Sequence, residues 1–158
     1  MGLQISLQLL TAGNASVGAL GFLRGLQLYA SLPDQCEIPL KFGFWGETAW
    51  RWGSPHAYLV YPATTLFIGV GPLLHFGKSE DIPPWVKDVT TYKSLTSCFY
   101  QVLNLATACL MVSIAEQVPA ITRGTQKGLR PSGLTAGYLA GLGGLFAAYG
   151  LLARRLAS

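Results

Sequence analysis

The chain has 158 residues, of which 51% are hydrophobic and only 11% charged, with a mean hydropathy of +0.39. Soluble domains carry charge on about a quarter of their residues, so membrane residence is the first inference. Eleven basic and seven acidic residues give +4, spread too thinly for the basic stripe of a nucleic-acid surface and leaving a weak preference for anionic headgroups.

The fold class expected is all-α: a single polytopic membrane domain over 1–158, a bundle of about four transmembrane helices with one structured interfacial loop. The first expected span covers 4–30, an almost uncharged run broken by Arg24. Roughly 20 apolar residues cross the hydrocarbon core. A cleaved signal is the rival reading, but no basic residue precedes the apolar run, and an uncleaved helix is preferred. The opening residues also fit a loose acylation pattern. Gly13, Gly18, Gly21 and Gly25 recur at three- and four-residue steps, giving a smooth side for close contact. Arg24 can snorkel to the interface or pair with Asp34 or Glu37. Asn14 opens a glycosylation sequon that the helix makes inaccessible.

Residues 32–55 are neither apolar enough to span nor plain enough to be a linker. They hold Pro33, Pro39 and Pro55, turn-forming glycines, and the tryptophans Trp45, Trp50 and Trp52. Tryptophan suits the membrane–water boundary, where an apolar ring and a polar N–H are both satisfied. Lys41, Trp45, Glu47, Trp50, Arg51 and Trp52 are the candidate contacts to a partner or to lipid.

The second expected span is 56–76, with Tyr58 and Tyr61 as anchors and Pro62 as a loosening point. His56 and His75 bracket it, ~28 Å apart at the helical rise, too far to share a metal. After a polar connection, 77–91, the third span is expected over 92–114. Lys93, Ser97, Tyr100, Asn104, Thr107 and Met111 share one face of it. Asn104 lies near mid-helix, where an amide cannot face lipid cheaply, so this polar stripe is expected to bond neighbouring helices. Residues 116–131 read as a loop and 133–153 as the fourth span. There Gly133, Gly137 and Gly141 form overlapping GxxxG patterns for close packing.

Three cysteines, Cys36, Cys98 and Cys109, form no CxxC and are expected to be buried structural residues. Cys98 and Cys109 lie ~16 Å apart along one helix, too far for a disulfide. Basic residues divide evenly between the two ends of the bundle, so the positive-inside rule gives no orientation. Either a bacterial plasma membrane or an organellar inner membrane suits the chain.

The sequence Leu32-Pro33-Asp34, then Ile38-Pro39-Leu40-Lys41-Phe42, Gly46 and Trp52-Gly53-Ser54, followed by an apolar helix with Tyr61-Pro62, resembles the small membrane domain of unknown function found in SdpI-type bacterial immunity proteins. The resemblance covers about residues 20 to 65 and implies a membrane bundle. Lys41 stands where that family has histidine, the aspartate after its glycine is not evident, and Pro55 replaces a lysine. Where relatives use those groups for ligand or metal chemistry, the resemblance implies that this chain lacks it.

No HExxH, GxSxG, Walker or dinucleotide motif occurs, and no carboxylates pair within a span. A non-enzymatic accessory membrane protein is therefore expected, with no cofactor or metal, its partners being membrane lipids and other integral membrane subunits rather than nucleic acid. The alternative is a receptor-like or immunity protein that binds a peptide or lipid through 32–55.

Overall fold

The computed structural model describes residues 2–47, 52–75 and 82–155. It is mostly helical, with four α-helices: α1 (Gly2–Ala30), α2 (Val60–His75), α3 (Val89–Thr122) and α4 (Leu134–Arg155). Two of them, α3 and α4, are long and apolar enough to cross a membrane by length and composition. A 3₁₀ turn, Pro55–Leu59, leads into α2, and two short strands, β1 (Ile38–Pro39) and β2 (Trp52–Gly53), pair antiparallel in the loop after α1. The helices α1, α2 and α3 pack on one another, and α4 lies along α3.

Each boundary has a local cause. Pro33 disfavours helical backbone in the residue before it, and α1 ends with the Ser31 hydroxyl donating to the Leu28 carbonyl at 2.7 Å. The Asp88 carboxylate caps α3 by accepting from the Thr91 N–H at 3.0 Å, and these hydrogen bonds hold its pKa below the usual value. Gly124 and Gly133 adopt left-handed φ of +72° and +86°, which lets α3 stop and α4 begin.

The third helix corrects the sequence reading most. It runs to Thr122 rather than 114, taking in Glu116 and Pro119, which read as loop. A proline inside a helix removes the N–H that would bond the carbonyl four residues earlier, here that of Ala115. Tyr58 supplies the missing donor: its hydroxyl bonds the Ala115 carbonyl at 3.0 Å. Pro62 falls in the first turn of α2, where a missing N–H is tolerated.

Two kinds of packing hold the bundle. Toward one end of the molecule, a core of Ile38, Tyr58, Tyr61, Ile114, Ala115, Val118, Ile121 and Leu129 joins the helices to the loop after α1 and to the α3–α4 connection. Tyr58 stacks on Tyr29 and meets Tyr61 edge-on. Farther along α1, contact is made by small residues: a Cβ at Gly69 would stand 2.5 Å from the Gly18 Cα, and one at Gly25 2.4 Å from the Pro62 ring. The glycine face expected on α1 is thus used at Gly18, Gly21 and Gly25, while Gly13 has open space.

Candidate interaction surface

The loop after α1 is an ordered cap. Its turn is closed by the Gly43 N–H to the Glu47 carbonyl and the Gly46 N–H to the Gly43 carbonyl, both 2.9 Å. Backbone bonds then stitch it to the α3–α4 connection: Leu129 N–H to the Gly46 carbonyl at 2.6 Å, Gly133 N–H to the Trp45 carbonyl at 2.8 Å, and a bridge from Glu47 to Gly128. Tyr61 ties the cap to α2, its hydroxyl bonding the Pro39 carbonyl at 2.8 Å. Ile38 is the residue that buries the loop, being fully enclosed in the core.

Of the candidate contacts, Lys41, Trp45, Glu47 and Trp52 lie on this cap and all are exposed; Trp50 and Arg51 lie outside the described residues. Trp45 is 65% exposed, with Phe44 packed edge-on to it at 5.1 Å. Its ring lies beside Gly133, where an added Cβ would stand 3.6 Å from Trp45 Cε3. The Glu47 carboxylate accepts from the Trp45 N–H at 3.1 Å, so it shapes the turn.

The packing candidates fall differently. A Cβ at Gly137 or at Gly141 would meet nothing within 4 Å, and Gly133 serves the turn into α4, so among the described residues the GxxxG face makes no close helix contact. Instead α4 is held to α3 by a narrow seam: Tyr138 to Thr107 at 2.5 Å, Tyr149 to Thr96 at 3.0 Å, and Phe99 against Phe146 and Tyr149. Above the Tyr138–Thr107 bond the two helices part into a groove of about 410 Å³, with Ala106, Cys109 and Ser113 on one wall and Ser132, Leu134 and Gly137 on the other. Small residues at 106, 109 and 113, spaced by three and four, were the sequence signal for this wall.

Asn104 is half-buried, and its side chain makes no hydrogen bond among the described residues. The polar lock between helices is made one turn earlier by Gln101, which sequence reading missed. The buried Asn14 amide donates to the Gln101 side-chain oxygen at 2.7 Å and to its carbonyl at 3.0 Å, and Gln101 donates to the Thr11 hydroxyl at 2.7 Å. Asn14 and Gln101 are 0% and 1% exposed.

Arg24 pairs with neither Asp34 nor Glu37. Its guanidinium reaches across to α3 and meets the Glu116 carboxylate twice, at 2.7 and 3.3 Å. The ends of the helices were mislocated in sequence, so Glu116 read as loop and the pair was invisible. We expect Glu116→Gln to lower the melting temperature in detergent more than the Arg24→Gln/Glu116→Gln double variant does, because the single change strands one charge. In water such a half-exposed pair is worth ~1 kcal/mol or less. Additive effects across the cycle would show no coupling.

His56 hydrogen-bonds the Tyr29 hydroxyl at 2.5 Å. Of the cysteines, Cys36 and Cys98 are half-buried and Cys109 is exposed, so the expected burial of all three is corrected; each is a free thiol. Among the described residues no group of three or more His, Cys, Asp or Glu side chains is placed to hold a metal ion. No family model, curated protein or solved structure matches the chain.

Proposed function

We propose that this chain is a non-enzymatic integral membrane protein whose four helices cross the bilayer, serving as a structural or accessory subunit of a larger membrane assembly. The observation that carries this reading is the state of α4, where only 6% of the apolar window is buried within the chain. Leu139, Phe146, Leu151 and Leu152 stand exposed around it, as do Leu20 and Leu23 on α1 and Phe67 on α2. Leaving such side chains in water forgoes ~1.5–3 kcal/mol each, whereas lipid accepts them without cost.

The charges suit this placement. On α3, Lys93 and Glu116 lie ~35 Å apart at 1.5 Å per residue, slightly more than the ~30 Å hydrocarbon thickness. Arg24 shares the Glu116 level, and Arg154 and Arg155 end α4 beyond the level where Tyr149 bonds Tyr92. The 34 residues of α3 extend ~51 Å, so its last turns project into the cap. The cap would then sit at the headgroup level, where Phe44, Trp45 and Trp52 find both apolar and polar surroundings.

The glycines of α4 support an accessory role. Gly141 and Gly144, three residues apart on one face, open onto space, a surface that lets another helix backbone approach closely. Extraction in mild detergent, native gel separation and mass spectrometry test this: the chain is expected to migrate with a stoichiometric membrane partner. Gly141→Leu should release it from that assembly while leaving its own melting unchanged, because a Cβ at this position meets no described atom within 4 Å. Migration of the native chain as a lone small particle would overturn the accessory reading. That outcome would favour the second reading, a receptor-like or immunity protein, whose motivating observation is the exposure of Trp45 and Trp52 on the cap.

A further inference from the structure

Resting on the membrane reading, we propose that the groove between α3 and the start of α4 is a binding site for one anionic phospholipid, an acyl chain lying in the groove and the phosphate at its mouth beside Arg130 and Ser132. The groove is an open notch closed at one end. Its far end is shut by the Tyr138–Thr107 hydrogen bond and by the Phe99–Phe146 contact below it. A partner helix crossing the whole membrane would need an open channel along α4, whereas a chain entering from the headgroup side needs only this pocket. Ala106, Cys109, Leu134 and Gly137 make the deeper walls small or apolar, and the hydroxyl groups of Ser113 and Ser132 join them in the lining.

Charge near the mouth is mainly basic. The segment from 117 to 133 carries Arg123, Lys127 and Arg130 and no acidic residue. The two carboxylates at this end are both engaged: Glu116 pairs with Arg24, and Glu47 accepts from the Trp45 N–H. Arg123 donates to the Ser31 carbonyl at the end of α1, which leaves Arg130 as the arginine next to the groove wall. It is exposed, yet its backbone is fixed from both sides by one side chain. The Gln117 amide donates to the Arg130 carbonyl at 2.9 Å and its oxygen accepts the Arg130 N–H. Gln126 in turn donates to the same Gln117 oxygen at 2.7 Å. Arg130 thus has a rigid base directly before the groove residues Pro131 and Ser132. Trp45 is tied to the same segment, its carbonyl bonded to the Gly133 N–H, and its largely exposed ring suits the depth of headgroups.

The test uses the full chain reconstituted in nanodiscs of phosphatidylcholine containing a minor fraction of phosphatidylglycerol, followed by native mass spectrometry of retained lipid. The wild-type chain should retain one phosphatidylglycerol in preference to phosphatidylcholine. Arg130→Gln should reduce that preference about five-fold, the effect of one basic residue on anionic-lipid attraction. Gly137→Leu, whose Cβ would meet no described atom within 4 Å and whose longer side chain fills the groove, should reduce retention of both lipids without lowering the melting temperature. Equal retention of the two lipids by the wild type, or full retention by both variants, would overturn the proposal. Alkaline carbonate extraction of the source membranes separates the two levels of the argument. A chain found in the pellet but without lipid selectivity overturns the groove alone, while a chain released to the supernatant overturns the membrane reading as well.

Discussion

Gly69→Val is expected to break the contact between α1 and α2 and to be among the most damaging single changes in the bundle. The reason is that the atoms a side chain would strike are backbone. A Cβ at this position would stand 2.5 Å from the Gly18 Cα, 2.7 Å from the Asn14 carbonyl oxygen and 2.9 Å from the Gly18 nitrogen. No rotamer change relieves such a clash, so the helices must separate. Overpacking of a well-filled core costs ~1–3 kcal/mol, and a clash with fixed backbone belongs at or above the upper end. Separation would also disturb Asn14, whose amide is locked to Gln101 on the neighbouring α3. Gly71→Val is the matched control on the same helix, since a Cβ there meets nothing within 4 Å. Thermal melting in detergent should fall steeply for the first and hardly at all for the second; equal melting would refute the close α1–α2 contact.

The second large effect is expected at Tyr58, and it divides into two parts. Tyr58→Phe keeps the ring against Tyr29 and Tyr61, at centroid distances of 6.4 and 5.8 Å, but removes the donor to the Ala115 carbonyl. Leaving a buried acceptor without a partner costs ~1–3 kcal/mol. Tyr58→Ala also empties the centre of the core, for a total of ~3–5 kcal/mol by analogy with other aromatic truncations. Pro119→Ala provides the diagnostic. It restores a backbone N–H four residues after Ala115, so the Tyr58→Phe/Pro119→Ala chain should regain most of the stability lost by Tyr58→Phe. Failure of that rescue would mean that the proline and the tyrosine are unrelated.

These two sites also show what could be read from the sequence. The existence of four helices was legible, because long apolar runs separated by proline-, glycine- and charge-rich segments admit little else. The glycine face of α1 was legible too, and Gly18, Gly21 and Gly25 do meet α2 or α3. The end of α3 was not. Pro119 looks like a helix terminator unless one knows that Tyr58, far away in sequence, supplies the lost hydrogen bond. Nor could periodicity choose between Gln101 and Asn104 as the amide that meets Asn14. They lie one turn apart, and the rotation of α3 that selects Gln101 is set by packing against α1 and α2.

The cap was legible as structured but not in its purpose. Its prolines and glycines announced turns, while its tie to the α3–α4 connection depends on backbone bonds from Gly46 and Trp45 to residues more than 80 positions later, which leave no mark in composition. Conversely, the GxxxG pattern of α4 was conspicuous, and among the described residues no helix packs against Gly137 or Gly141. A small-residue face records that something can approach closely; it does not record whether the approaching helix belongs to the same polypeptide.

The division of the interior into an aliphatic and aromatic core near the cap and a glycine-and-amide seam farther along α1 has a consequence for denaturation. Water-driven burial stabilises only surface that would otherwise be wetted, and urea weakens it by solvating apolar and peptide groups. Helices already surrounded by hydrocarbon gain nothing from that force and hold together through close packing and shared protons. In a bilayer or a micelle, urea should therefore loosen the end around Ile38 and Tyr58 first, and a harsh anionic detergent should first part the helices at Gly18, Gly69 and Gln101. One small polypeptide would melt from opposite ends according to which solvent is made hostile.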